Sequence, residues 1–158
     1  MADYNGTDDD DIIDASELDS DIGNIYPGKG NDTVTNATSK HTIISGPGED
    51  NISGQKFGYA LWNATQAVTI NLKENWSEDG FGTRDTVSGI ETIHGSRFGD
   101  TIYGSENYEK YFVNGGNNTV QINSGSNTWN VSGGADQGKC RMHRDPTNSG
   151  LNWKPLYS

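Results

Sequence analysis

The chain has 158 residues, a formal net charge of −11 and only 30% hydrophobic side chains. So little apolar surface cannot offset chain entropy through an ordinary core, so either the chain is disordered or something other than a core holds it. The acidic body repels nucleic acid and anionic membranes, no run approaches the roughly 20 apolar residues of a membrane span, and the single Cys140 excludes an internal disulfide.

Residues 1–50 carry 12 Asp and Glu against Lys29 and Lys40, whereas residues 139–158 carry Lys139, Arg141, Arg144 and Lys154 against Asp145. The N-terminus is acidic from Asp3 onward and lacks the basic start and apolar stretch of a signal peptide. Its first ordered unit is Asn5-Gly6-Thr7-Asp8-Asp9-Asp10-Asp11-Ile12-Ile13. Two later segments share its frame: Pro27-Gly28-Lys29-Gly30-Asn31-Asp32-Thr33-Val34-Thr35 and Ser45-Gly46-Pro47-Gly48-Glu49-Asp50-Asn51-Ile52-Ser53. Both have Gly at the second and fourth places, Asp at the sixth and a large apolar residue at the eighth. The same frame puts Asp8 at the fourth place of the first unit, Asp10 at the sixth and Ile12 at the eighth.

The eighth place keeps a nine-residue beat through Ile25, Val34, Ile43 and Ile52, and again through Ile93, Ile102, Tyr111, Val120 and Trp129. Nine residues are not a whole number of helical turns, so a helix could not hold these side chains on one face. A short strand and a tight turn can, with glycine and Asp tolerating the turn backbone. Two units make one coil, and coils stack at the strand spacing of about 4.8 Å. The expected fold is therefore all-β, a parallel β-solenoid of nonapeptide half-turns with the eighth place inward. Residues 1–54 form its first block. Residues 55–90 break the beat: Phe57, Tyr59, Leu61 and Trp62 cluster, Val68, Ile70 and Leu72 alternate like a half-buried strand, and 76–83 reads as a loop. A protruding hairpin that rejoins the stack near Val87 is expected. Residues 91–134 form a second block, in which the sixth place reads Glu91, Asp100, Glu109, Asn118 and Asn127. Residues 135–158 form a basic, aromatic tail.

Residues 5–53 and 91–132 resemble the calcium-binding nonapeptide repeats of the RTX (repeats-in-toxin, haemolysin-type) family. The stretch from Val68 to Leu72 and from Asp85 to Gly104 is similar to linkers between that family's repeat blocks. The resemblance implies a β-roll that binds Ca²⁺. Ca²⁺ takes 6–8 oxygens, which one turn cannot supply, so the turn one coil away must contribute. Asp32 and Asp50 stand one full coil apart and form the leading site, with carbonyls from Gly28, Gly30, Gly46 and Gly48. Asp8 and Asp10, in the acidic run Asp8 to Asp11, form a second cation-binding pole, together with Asp14, Asp19 and Asp21. Asp100 stacking on Asn118 offers a weaker site. Gly23 and His41 hold the sixth place on the opposite edge, where no ion of the repeat type is expected.

The remaining signals are weak. His41, His94 and His143 read as outward polar positions, and Cys140 with His143 lacks the second ligand pair of a zinc site. There is no G-x-S-x-G, phosphate loop or H-E-x-x-H. Asn-x-Ser/Thr sequons and the seventh-place threonines follow from the repeat register and strand propensity. The expected function is a non-catalytic structural or adhesive module of a secreted or surface protein. The alternatives are a small structural protein of a larger assembly, such as a virion decoration or fibre protein, and an appended module of a polysaccharide-modifying enzyme. Expected partners are calcium ions, a protein or a second copy bound through the tail, and a surface glycan.

Overall fold

The computed structural model describes residues 1–122, 128–130 and 141–144. Among them there is no helix. The strands are β1 (Ala2–Thr7), β2 (Ile12–Asp14), β3 (Ile22–Gly28), β4 (Thr33–Ala37), β5 (Thr42–Ile44), β6 (Asn51–Ala60), β7 (Thr69–Asn71), β8 (Trp76–Glu78), β9 (Arg84–His94), β10 (Thr101–Tyr103), β11 (Lys110–Phe112), β12 (Thr119–Ile122), β13 (Thr128–Asn130) and β14 (Arg141–Arg144). They join one open, mixed sheet.

Pairing runs along two columns. One takes β1, β3, β5, the second half of β6, the second half of β9, β11 and β13, all parallel. The other takes β2, β4, the first halves of β6 and β9, then β8, β7, β10, β12 and β14. Val34 pairs with Ile52, Ile25 with Ile43, and Ile102 with Val120, each the matching place two nonapeptides further along the chain. Ile25, Val34, Ile43, Ile52, Ile93, Ile102, Tyr111 and Val120 are all fully buried. Burying each contributes roughly 1.5–3 kcal/mol. The side chain of Trp129, residues 131–140 and residues 145–158 lie outside the described residues. No helix among the described residues is long and apolar enough to cross a membrane.

The first coil departs from the expected frame. Ile13, not Ile12, pairs with Val34 and points inward; Ile12 is 88% exposed. The spacing between paired strands is also longer here than a pair of nonapeptides, with Tyr4 beside Ile25 and Ile13 beside Val34. A one-residue slip exchanges the two faces of a strand. Turning Ile13 inward buries Ala15 as well, whereas turning Ile12 inward would bury Asp14 in its place. The sixth place therefore belongs to Asp11 rather than Asp10.

The hairpin also differs from expectation. Trp76–Glu78 is a strand and not a loop, and the hairpin does not protrude: β8 lies antiparallel between β7 and β9 within the sheet. Both its edges are thereby hydrogen-bonded. Its inward residue Ser77 is fully buried against the hydroxyl of Tyr59, and Trp76 stacks under Arg84 with the guanidinium carbon 4.1 Å from the ring centre.

Candidate metal centre

The turns preceding β4 and β6 lie directly on one another. A side-chain carbon at Gly48 would stand 1.7 Å from the carbonyl oxygen of Gly30, and one at Gly46 1.8 Å from that of Gly28. Only glycine allows so close a stack, and Gly30 and Gly48 also have positive φ, at 101° and 143°.

That stacking puts the sixth-place aspartates one above the other, buried and facing inward. Each carboxylate accepts the backbone N–H of the sixth-place residue in the coil before. Asp11 N–H donates to Asp32 Oδ1 at 2.8 Å, Asp32 N–H to Asp50 Oδ1 at 2.9 Å, and Asp50 N–H to Asp85 Oδ1 at 3.1 Å. The pattern continues in the second block, where Val68 N–H donates to Asp100 Oδ1 at 3.1 Å and Asp100 N–H to Asn118 Oδ1 at 2.8 Å. The ladder satisfies backbone donors that the tight turns would otherwise leave buried.

The second oxygens differ along the ladder. Asp50 Oδ2 accepts from Ser45 Oγ at 2.7 Å, and Asp85 Oδ2 meets Ser45 Oγ at 2.8 Å and the Tyr59 hydroxyl at 2.6 Å. Asp32 Oδ2 is buried and has no hydrogen-bond partner. Burial pushes the Asp32 carboxyl up to about 6; the charges of Asp50, Asp11 and Asp10 push the same way, and the Asp11 N–H opposes them. Burial likewise raises Asp50, and raises Asp85 to about 7. A buried acceptor without a donor, in a turn that stacks on its neighbour through glycines, is suited to a cation.

The other expected ligands separate into distinct roles. Asp10 Oδ1 accepts Asn31 N–H at 2.7 Å, so it does face the second turn. Asp8 forms an exposed ion pair with Lys29 at 2.6 Å. In the second block Asp100 takes Ser96 N–H at 2.8 Å and Ser96 Oγ at 2.5 Å in addition to Val68 N–H. The Asn118 amide nitrogen points at the carbonyls of its own turn, Asn114 at 3.1 Å and Gly115 at 3.3 Å. The Asn118 amide thus takes those carbonyls itself, and both oxygens of Asp100, like those of Asp50, already accept hydrogen bonds.

Two histidines behave differently from each other. His41 is not outward: it holds the sixth place of the other column, 1% exposed, with Nδ1 accepting Thr38 N–H at 3.0 Å. Its Nε2 is buried without a partner, and burial, with Lys40 adding to it, pushes its pKa down. His94 does lie on the outer side, stacked on Phe112 at 4.7 Å and edge-on to Trp62 at 5.4 Å.

Asp85, Ser45 and Tyr59 were not among the expected site residues, and Asp11 was expected only as part of the acidic run Asp8 to Asp11. Asp85 carried a signal, because Asp85-Thr86-Val87 repeats Asp32-Thr33-Val34. Among the described residues no three His, Cys, Asp or Glu side chains converge as a metal cage. Comparisons with protein-family models, curated proteins and solved structures return no match.

Proposed function

We propose that this chain is a non-catalytic β-solenoid of nonapeptide half-turns, stapled by Ca²⁺ between its stacked glycine turns, and serves as a structural or adhesive module outside the cell. The observation that carries this reading is Asp32 Oδ2, the one carboxylate oxygen that is buried and without a partner among the described residues. Asp32 brings the open oxygen, Asp50 brings charge with both of its oxygens already accepting hydrogen bonds, and Gly28, Gly30, Gly46 and Gly48 would bring carbonyls from two turns. Such a set needs two carboxylates rather than three, which is compatible with the absence of a three-carboxylate cage among the described residues. The coil-to-coil register kept in both columns supports the solenoid, and the in-sheet hairpin is an insertion into it. Bound Ca²⁺ would neutralise the aspartate ladder, and its binding free energy would add to folding. A non-catalytic role is supported by Asp50 and Asp85, 2% and 0% exposed, whose carboxylates face the interior rather than a substrate. A site of this kind suits the millimolar free Ca²⁺ found outside cells.

Far-UV circular dichroism in EDTA, followed by Ca²⁺ titration, tests the reading. Strand signal that grows saturably with Ca²⁺ supports it; the same folded spectrum in rigorously chelated buffer, with no heat of Ca²⁺ binding, refutes it.

A further inference from the structure

We propose that copies of this chain stack head to tail, the acidic first coil of one copy adding in parallel to strands β13 and β14 of the next. The inference rests on the coil reading above. Three observations converge on it.

First, among the described residues the outermost strands at the two ends run in the same direction. Among the described residues β1 pairs only with β3 and β2 only with β4, while β13 pairs only with β11 and β14 only with β12. All four pairings are parallel. A further coil of the same polarity can therefore continue both columns at once, which a copy turned end for end cannot do.

Second, the aspartate ladder is open at its first rung. Asp32, Asp50 and Asp85 each take the N–H of the rung before. Asp11 has no earlier rung and turns Oδ2 onto its own turn, taking Thr7 N–H at 2.6 Å and Thr7 Oγ1 at 2.9 Å. A docked coil would supply the N–H that this carboxylate lacks.

Third, the charges are complementary. Residues 1–21 contain nine Asp and Glu and no Lys, Arg or His, whereas β14 reads Arg-Met-His-Arg. Two acidic ends repel each other, so the acid that blocks a two-fold contact favours a heterologous one. Such a contact does not close and builds an open filament. Ile12, 88% exposed on the outward face of this first coil, would gain a neighbour alongside it on docking.

Sedimentation velocity in Ca²⁺-containing buffer tests the proposal. The wild-type mass should grow with concentration at low salt and fall toward the monomer by about 0.5 M NaCl, where exposed charges more than about 4–5 Å apart are screened. Two charge-swapped variants test the direction. Exchanging the exposed Asp3, Asp9, Glu17, Asp19 and Asp21 for Lys turns the nine negative charges of residues 1–21 into a net of +1 and makes both ends basic, and Arg141→Glu with Arg144→Glu makes both ends acidic. Each should remain monomeric alone, and an equimolar mixture should recover at least half of the wild-type association. Where a charge-swapped variant fails to fold by circular dichroism, Ile12→Lys alone, at its exposed position, takes its place and should weaken association of the otherwise wild-type chain at least fivefold. A wild-type chain that stays monomeric at low salt while folded and Ca²⁺-responsive overturns the stacking but not the coil. Association that the swapped mixture does not restore also overturns it. Loss of the Ca²⁺ response itself marks failure of the coil reading instead.

Discussion

Asp32→Asn separates two tasks that one carboxylate performs. Its Oδ1 accepts Asp11 N–H at 2.8 Å, and an asparagine oxygen can keep that bond. Its Oδ2 has no partner, and the substitution replaces it with an amide that cannot ligate a cation. At a Ca²⁺ concentration of about 100 times the dissociation constant, ligand linkage stabilises the native state by about 2.7 kcal/mol. Losing the site removes most of that. In scarce Ca²⁺ the same change removes a buried charge held unfavourably, with a carboxyl lifted to about 6, and introduces an amide donor that costs roughly 1–3 kcal/mol if unpaired. These two effects oppose each other, so the net change there should stay within about 1 kcal/mol. Urea unfolding followed by circular dichroism, at saturating Ca²⁺ and at the lowest Ca²⁺ that keeps the native state populated, measures both. A loss of about 2–3 kcal/mol confined to high Ca²⁺ is expected. Equal losses in the two buffers would refute the reasoning and leave Asp32 as a hydrogen-bond acceptor only.

Tyr59→Phe at saturating Ca²⁺ should cost about 2 kcal/mol in urea unfolding, because it strips a buried hydroxyl from Asp85 and Ser77; a cost below about 0.5 kcal/mol would show the network to be idle. Gly48→Ala should abolish folding or cost more than about 3 kcal/mol, since the new carbon meets the Gly30 carbonyl, whereas Gly82→Ala, with open space but a φ of 107°, should cost only about 1 kcal/mol. Asp85 has a native pKa lifted by burial to about 7, so the native state holds its proton more tightly than the unfolded chain does. Its stabilising contribution is complete below about pH 4 and is lost as pH climbs through about 7. At saturating Ca²⁺ the melting temperature should fall between pH 5.5 and 8.5, and Asp85→Asn should flatten that slope; a slope unchanged by the substitution would contradict the assignment.

The periodic parts of the fold were legible because their causes are local. Strand alternation places Val34 and Ile52 inward, and glycine at Gly46 and Gly48 permits the turn stack, so the parallel pairing of β4 with β6 follows from the beat alone. The first coil was ambiguous because Asp8 to Asp11 followed by Ile12 and Ile13 fits two frames one residue apart. Burial of Ala15 decides between them, and that depends on packing. Strand β8 was hidden because its inward residue is a serine; no apolar alternation marks Trp76–Glu78, and its placement follows from the bond between Ser77 and Tyr59. Asp85 lies much further beyond Asp50 than Asp50 does beyond Asp32, so the insertion broke the spacing that identified the other rungs, although its Asp-Thr-Val triplet survived. His41 read as an outward polar residue because histidine is common on surfaces, yet the sixth place faces inward in both columns.

A crystal structure of the chain grown in millimolar Ca²⁺ probes the stapling of the coils most directly. It should contain an ion about 2.3–2.6 Å from Asp32 Oδ2, with turn carbonyls of neighbouring coils completing its shell. A proton, a water molecule or a protein donor on that oxygen, with the turns stacked as described and no ion between them, would contradict the account.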